Sequence, residues 1–373
     1  MKIITFFNHK GGVAKTTNCY HLGWKLAEKG KRVILVDADS QCNLTGLAMG
    51  LMPNDYSSEV EDAEENGEDG KASELLEKIE REESEMVKRA DKFWRSVKTN
   101  NIHSALRPAF KAEPRPLEPV EVVPVPGNEN LLLLPGHIEL ADYESDLALA
   151  QNVKGSIGSQ QNIPGAISHL LSITGEKYGA DYLLVDVSPS LGAINQNIVS
   201  ISDEIIIPCA PDYFSMMALM SLKEILPKWK NWALEAARSK GLQQAVYKFP
   251  EPKFRVLGLT ISRFVMYKGK PASAFAAWID KIQRACVEEL KPAMQEADIL
   301  SEVTGTEESS FIMAKIRDFN SLRPKSQEAQ KPVFALTDED LGLSGRSLQN
   351  MIKQREQADQ VFERFADLVI ESK

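Results

Sequence analysis

The sequence predicts an α/β fold: a doubly wound, mainly parallel sheet with helices on both faces, of the P-loop NTPase kind, plus a partly helical insertion. Three observations predict it. Short runs of β-branched residues and leucine alternate with helical stretches, a glycine-containing turn joins the first strand to the first helix, and the alternation stops over residues 53–128 before resuming. The chain has 373 residues, 43% of them hydrophobic, enough for the core of one large domain with an elaboration. Residues 1–373 are therefore read as one domain, with 53–128 as an acidic, helical and proline-rich insertion within it.

The first strand is the apolar, aromatic run at residues 1–7 (MKIITFF), followed by a turn and a helical pattern over 16–29. Gly30 is placed to cap that helix, and residues 32–37 (RVILVD) form a second strand, which makes a parallel βαβ unit. Further strands are expected at 181–187 (DYLLVDV), 204–208 (EIIIP) and 255–262 (RVLGLTIS). Within the insertion, residues 73–97 carry a helical stripe of Leu75, Ile79, Met86, Ala90, Phe93 and Val97, interrupted by Glu83. Amphipathicity leaves two readings open: a cover for the same subunit, or a surface for a partner or a second copy. The tract at 108–126, with Pro114, Pro116, Pro119, Pro124 and Pro126, reads as a stiff connector. Near the other end, Leu348, Ile352, Ala358, Phe362, Phe365 and Val369 form a stripe expected to pack on the sheet. Glu363, Asp367 and Glu371 lie among its polar residues and argue against a membrane-surface helix.

No run approaches the roughly 18 to 20 apolar residues of a membrane helix, and residues 1–7 read as a strand rather than a signal peptide, so a cytoplasmic protein is expected. Cys19, Cys42, Cys209 and Cys286 are scattered and suggest no metal set. The net charge of −9 speaks against a nucleic-acid binder only at face value. Residues 59–85 hold thirteen acids against Lys71, Lys78 and Arg81, a net of −10, so the remainder carries +1 and has room for a basic face.

The strongest chemical signal is His9-Lys10-Gly11-Gly12-Val13-Ala14-Lys15-Thr16-Thr17, between a strand and a helix. The strict phosphate-loop pattern asks for glycine where His9 and Ala14 stand. Its physical requirements survive: Gly11 and Gly12 let the backbone approach phosphates, the amides through Val13 and Ala14 point inward, and the helix N-terminus adds partial positive charge. Lys15 is placed to neutralise the β- and γ-phosphates, Thr16 to ligate Mg²⁺, and Thr17 to lie near the α-phosphate. Ala14 is expected to be accommodated with φ below zero. Two strand ends add carboxylates where open α/β sheets bind ligands: Asp37-Ala38-Asp39, and Asp186 after Leu183-Leu184-Val185.

Lys10-Gly11-Gly12 followed by Lys15-Thr16-Thr17 resembles the deviant Walker A motif of the ParA/MinD family, with Ala14 in place of the commoner glycine. Val36 to Gln41 resembles the family's Walker A′ segment, and Asp186 with Ser188-Pro189-Ser190 its Walker B region. The resemblance spans about residues 1–50 and 130–371 and leaves the insertion outside. It implies that Lys10 reaches across an ATP-sandwich homodimer to the partner's phosphates. Asp39 would orient or activate the attacking water, Asp37 support Mg²⁺ or its loop, Asp186 hold Mg²⁺, and Pro208 and Pro211 lie near the base. No guanine-specificity motif, paired cysteines or basic C-terminal membrane helix is found, which favours the ParA branch.

That branch implies a slow, partner-stimulated, Mg²⁺-dependent ATPase that partitions DNA or positions another cargo and associates with the nucleoid if it binds DNA. Arg263, Lys268, Lys270, Arg317, Arg323, Lys325 and Lys331 are the candidates for non-specific DNA contacts. No helix-turn-helix precedes the first strand of this sequence, so operator-specific repression is not expected. The alternative is a nucleotide-gated interaction subunit of a larger assembly, such as a defence complex, with the insertion docking a partner. A metabolic P-loop kinase or ligase is disfavoured by Lys10 together with Asp37-x-Asp39.

Overall fold

The computed structural model describes residues 1–53, 69–267, 269–302 and 311–372. Its main sheet has eight strands in the order β10-β7-β6-β1-β5-β2-β4-β3. These are β1 Lys2–Phe6, β2 Val33–Ala38, β3 Val123–Pro124, β4 Leu131–Leu134, β5 Tyr182–Val187, β6 Glu204–Cys209, β7 Arg255–Phe264 and β10 Ile312–Arg317. All neighbours pair in parallel except β3 and β4. A separate hairpin joins β8 (Met266–Tyr267) to β9 (Lys270–Pro271). Every residue of β2, β4, β5 and β6 is buried, because helices cover both faces of a parallel sheet and leave no polar side to alternate with.

One face is covered by α1 (Lys15–Glu28), α2 (Asn43–Ala48) and the C-terminal helix Gly345–Glu371. The C-terminal helix buries Ala358, Phe362, Phe365 and Val369, in line with its stripe. His21 of α1 is fully enclosed here, its ring 5.0 Å from Phe319 and 5.1 Å from Phe362 by centroids. Burial lowers its pKa to about 4. The neutral ring bonds the Thr17 carbonyl through Nδ1 at 2.8 Å and accepts from the Val333 amide at Nε2 at 3.4 Å. The chain end is tied down where Lys2 Nζ donates to the Ser372 carbonyl at 2.6 Å and to Glu204 at 3.1 Å. Among the described residues, no helix is long and apolar enough to cross a membrane.

Next among the described residues comes α3, Asp69–Ser96, whose Phe93 packs against this first face. The other face carries α4 Ile102–Phe110, α5 Tyr143–Val153, α6 Ile163–Tyr178, α7 Ala193–Ile201 and α8 Tyr213–Arg238. The acidic stretch at residues 59–68 lies outside the described residues. In α3 the stripe residues Leu75, Ile79, Met86, Ala90 and Phe93 are half-buried and Val97 just beyond it is buried, whereas Leu76 and Val87 on the outer side are 48% and 59% exposed.

Two expectations for the insertion need correction. The helical part does not end at residue 97: Asn101 caps a second helix, α4, accepting from the Ser104 amide at 2.9 Å, and Ile102, Leu106 and Phe110 enter the core. The proline-rich tract is not a free connector either. Leu117, Val120 and Val125 are buried, and the Leu117 and Val120 amides donate to Tyr247 Oη at 2.8 Å and Thr174 Oγ1 at 3.1 Å. An extended, proline-rich segment satisfies none of its own amides, so those that remain find partners on the body and strap the tract to it.

Candidate functional site

The site forms at the carboxyl ends of β1, β5 and β2, beside the N-terminus of α1. Parallel pairing sets Asp37 opposite Asp186, one residue from the end of both strands. Adjacent strands lie about 4.8 Å apart, so register alone holds two buried carboxylates side by side. Burial and the neighbouring Asp37 push Asp186 up to about 8, against the opposing pull of the Thr16 hydroxyl and Lys15. Burial likewise raises Asp37 to about 6, despite its hydrogen bonds.

The two acids are held differently. Asp37 Oδ2 accepts from the Thr45 amide and hydroxyl, both at 2.7 Å, and its Oδ1 accepts from the Asp39 amide at 3.3 Å. It therefore braces the loop after β2. Asp186 Oδ2 accepts from Thr16 Oγ1 at 2.6 Å, while its Oδ1 is buried with no hydrogen-bond partner among the described residues. Asp39 is 5% exposed and accepts from the Gln41 amide at 3.0 Å. Lys15, 7% exposed, donates to the Lys10 carbonyl at 3.2 Å; burial lowers its pKa against the opposing pull of Asp186 and Asp39.

The loop from His9 to Ala14 curls over these groups. Gly12 has φ of +72°, and a Cβ at Gly11 would meet nothing nearer than Pro189 at 3.9 Å. Ala14 also lies in the left-handed region, with φ 64° and ψ 31°. The expectation of a negative φ is thus overturned: the amide path into the helix needs this turn whichever residue supplies it. An L-residue with a Cβ is strained there by roughly 1–2 kcal/mol. Arg263, itself at φ 65°, donates from Nη1 to the Gly12 carbonyl at 2.9 Å and braces the loop from β7.

A thiol-free, all-oxygen donor set of hydroxyl and carboxylate suits a hard cation such as Mg²⁺, and Asp186 Oδ1, buried without a hydrogen-bond partner among the described residues, is the atom free to take it. Thr16 and Asp186 fit such an ion, and the α1 N-terminus with Lys15 fits the phosphates it accompanies. Beside Thr17 and Asn18 a cleft of about 360 Å³ opens, walled by Ser262, Arg263, Asp318 and Phe319. Neither Pro208 nor Pro211 lines it. Pro208 sits within β6, its carbonyl accepting from Asn8 Nδ2 at 2.8 Å.

Lys10 is found bonded within its own chain, Nζ to Asp212 Oδ2 at 2.8 Å. Asp212 caps α8 by accepting from the Ser215 amide at 2.7 Å, and Lys10 and Ser215 together keep its carboxyl below the usual range despite burial. Sequence reading missed Asp212, although Asp-x-x-Ser before a helix is a capping signature. It also missed Asn18, which pins α1 to Thr260 and Ser262 at 2.9 and 3.0 Å, and Asn195, which holds the loop after β5 through the Ser188 and Ser190 carbonyls at 2.7 and 2.9 Å.

The seven basic candidates do not converge into one free patch. Arg263 serves the phosphate loop, and half-buried Arg317 donates to the Gln354 carbonyl at 3.0 Å. Arg323, Lys325 and Lys331 pair with Asp318, Glu328 and Asp340. Lys270 is exposed, and Lys268 lies outside the described residues.

A family model described as AAA domain matches residues 1–235. An uncharacterized protein of Methanocaldococcus jannaschii is 27% identical over 266 residues, covering 71% of this chain and 74% of that protein. The sporulation initiation inhibitor protein Soj of Bacillus subtilis is 27% identical over 221 residues, 59% of this chain. That match covers 63% of Soj, less than two thirds of its length. The fold is shared with the ATP complex of a McdA variant from Cyanothece, at TM-score 0.55 and 15% identity over 100% of this chain and 98% of that one.

Two outcomes follow from the geometry. Ala14→Gly removes the left-handed strain but frees the unfolded chain, a loss of about 0.4–1 kcal/mol. The net expectation is a gain of about 0.5–1 kcal/mol in chemical denaturation, and a loss of stability contradicts the strain. Asp186→Asn is expected to raise the melting temperature of the nucleotide-free protein at pH 8. Because the folded-state pKa of Asp186 lies above its unfolded value, the wild type loses stability as pH rises through that interval. The advantage of asparagine should therefore grow from about pH 4 to about pH 8 and level off above, as read by thermal melts across pH.

Proposed function

We propose a function from the premise that this chain belongs to the AAA domain family, among its ParA/MinD-like P-loop ATPases: it is an ATP-driven dimerisation switch. The observation that carries this reading is the phosphate loop ending on buried Lys15, with Thr16 bonded at 2.6 Å to an Asp186 whose second oxygen has no partner. Lys15 and the loop amides bind the β- and γ-phosphates of ATP, with the α1 N-terminus adding its partial charge. Mg²⁺, held by Thr16 and Asp186, supplies charge neutralisation on those phosphates. Asp37 keeps the loop after β2 in place through Thr45, and Asp39 orients the attacking water.

Lys10 then acts in trans on the partner's phosphates. Its bond to Asp212 does little to prevent this, since both groups are partly exposed and such a pair is worth about 0–1 kcal/mol. The Lys10 contacts to the partner's γ-phosphate exist only in the dimer and end on hydrolysis, so slow turnover times the assembly. Sedimentation with Mg²⁺ and ATP is expected to show dimers for the wild type and Asp39→Ala, and monomers for Lys15→Ala and Lys10→Ala. A mass independent of nucleotide removes the switch.

The cargo we infer is DNA, bound without sequence preference by the ATP form and moved with a partner that stimulates hydrolysis. The name of the Soj relative from Treponema pallidum, a chromosome-partitioning ATPase 26% identical over 230 residues, supports this. The ion pairs of Arg323, Lys325 and Lys331 must then open or leave the task to Lys270 and its neighbours. The ATP-bound protein is expected to retain duplex DNA at about 50 mM salt and release it at about 200 mM. Failure to bind at the lower salt favours the second reading, an interaction subunit of a larger assembly. Exposed Leu76 and Val87 on the outer side of α3 support that reading.

A further inference from the structure

We propose that His103, His137 and Glu139 form a site for a borderline divalent cation of the Zn²⁺ type, which clips the insertion helix α4 to the loop after β4. None of these residues takes part in the phosphate chemistry above. His103 lies in the first turn of α4, and His137 begins the short 3-10 turn Ile138–Asp142 that carries Glu139. The two segments are already joined where the Ile102 amide donates to the Pro135 carbonyl at 3.0 Å.

The donors are preorganised. The two imidazoles stack with centroids 5.2 Å apart and an interplanar angle of 16°. On its far side His103 stacks on Tyr143 at 4.6 Å, and Tyr143 on Phe110 at 4.1 Å, so the ring is fixed from the core outward. Glu139 Oε2 lies 3.7 Å from His103 Nδ1 and 3.8 Å from His137 Nδ1. One ligand atom from each residue falls within 4.8 Å of the other two.

These separations are too long for hydrogen bonds. They suit donors sharing an ion: zinc bonds of about 2.1 Å at tetrahedral angles put donors about 3.4 Å apart, so the two Glu139 contacts need to close by about 0.3–0.4 Å, and the two imidazole donors, within 4.8 Å of each other, by no more than about 1.4 Å. The exposed Glu139 side chain can supply the first of these movements. Two imidazoles and a carboxylate favour Zn²⁺, Co²⁺ or Ni²⁺ over Mg²⁺ or Ca²⁺, and leave a fourth position for water.

The surroundings permit a cation. The site opens on a cleft of about 710 Å³, and three of the four basic residues lining it are engaged: Arg107 and Arg115 with Glu113 at 3.0 and 2.9 Å, Lys111 with Asp146 at 3.2 Å. Asp142 adds negative charge next to His103. The competing interaction is a long one: His137 Nδ1 accepts from the Glu139 amide at 3.2 Å, and metal binding would take over that lone pair. The loop so fixed contains Gly136, whose amide donates to Thr45 Oγ1 at 3.0 Å, and a Cβ at Gly136 would come 2.9 Å from Asp37 Cγ. An ion here would stiffen the wall behind Asp37.

The test uses the full chain, stripped with EDTA and free of nucleotide. Zn²⁺ is titrated against a chromophoric chelator, and Co²⁺ alone is followed by visible absorption. One ion per chain is expected, with the intense visible bands of four-coordinate Co²⁺ and a higher melting temperature. His103→Ala and His137→Ala should each weaken binding roughly tenfold or more. Asp186→Asn and Cys42→Ser should leave it unchanged, which separates this site from the phosphate site and from thiol capture. If circular dichroism shows His103→Ala unfolded, His137→Gln and Glu139→Ala decide instead, because both positions are nearer the surface. The absence of stoichiometric Zn²⁺ binding, or equal affinity in the histidine variants, overturns the site.

Discussion

The pairing of β2 with β5 places Asp37 opposite Asp186, and the rest of the site is arranged around that register. Two like charges in a buried position repel each other and resist ionisation, so the fold has to hold them by other means. Thr45 takes one carboxylate and Thr16 the other, Lys15 lies within electrostatic reach, and the helix that carries Thr16 and Lys15 is anchored to β7 through Asn18. The shortage left over is positive charge at Asp186 Oδ1. A ligand that brings positive charge there binds the folded state alone and so stabilises it in proportion to its affinity. Nucleotide binding and folding stability are therefore linked through one strand register.

The parts of the fold that could be read from sequence share a physical cause. β1, β2, β5, β6 and β7 are buried on both sides and show as continuous apolar runs. β4 was missed because four consecutive leucines carry no period that separates strand from helix. β10 was missed because it lies at the sheet edge and mixes Lys315 and Arg317 with its apolar residues. The same division holds at the site. Residues 10–17, Asp39 and Asp186 lie in contiguous motifs, whereas the bonds from Lys10 to Asp212 and from Asn18 to Thr260 and Ser262 join segments more than 200 residues apart, and Asn195 braces Ser188 and Ser190 without belonging to a motif. Ala14 is a subtler case: the pattern shows which residue replaces glycine, but the dihedral belongs to the loop's path.

The insertion shows how composition can mislead about packing. Acid-rich and proline-rich stretches suggest a detached appendage, yet α4 and the following strap contribute Ile102, Leu106, Phe110, Leu117 and Val120 to the main core. Prolines at 114, 116, 119, 124 and 126 lower the entropy the strap loses on docking, since much of its backbone is restricted before folding. Rigidity that reads as a spacer in isolation becomes a favourable term once a surface offers partners for the remaining amides, as Tyr247 and Thr174 do. Among the described residues of the insertion, the exposed large apolar side chains Leu76 and Val87 lie on α3, and a role of the insertion in recognition is to be sought there.

The position of Lys10 bears on how a nucleotide could drive assembly. A ligand shifts an equilibrium only by its differential affinity for the two states. In the single chain Lys10 has a partner, Asp212, that also caps α8, so moving the lysine away does not leave the carboxylate bare: the Ser215 amide still donates to it. The cost of release is then that of a partly exposed ion pair, whereas a triphosphate enclosed between two subunits offers several charges away from solvent. The balance, on the proposed switch, favours the trans contact only while the γ-phosphate is present. On the proposed switch, the modest strength of the Lys10–Asp212 pair is what lets ATP, rather than protein–protein contacts alone, decide between monomer and dimer.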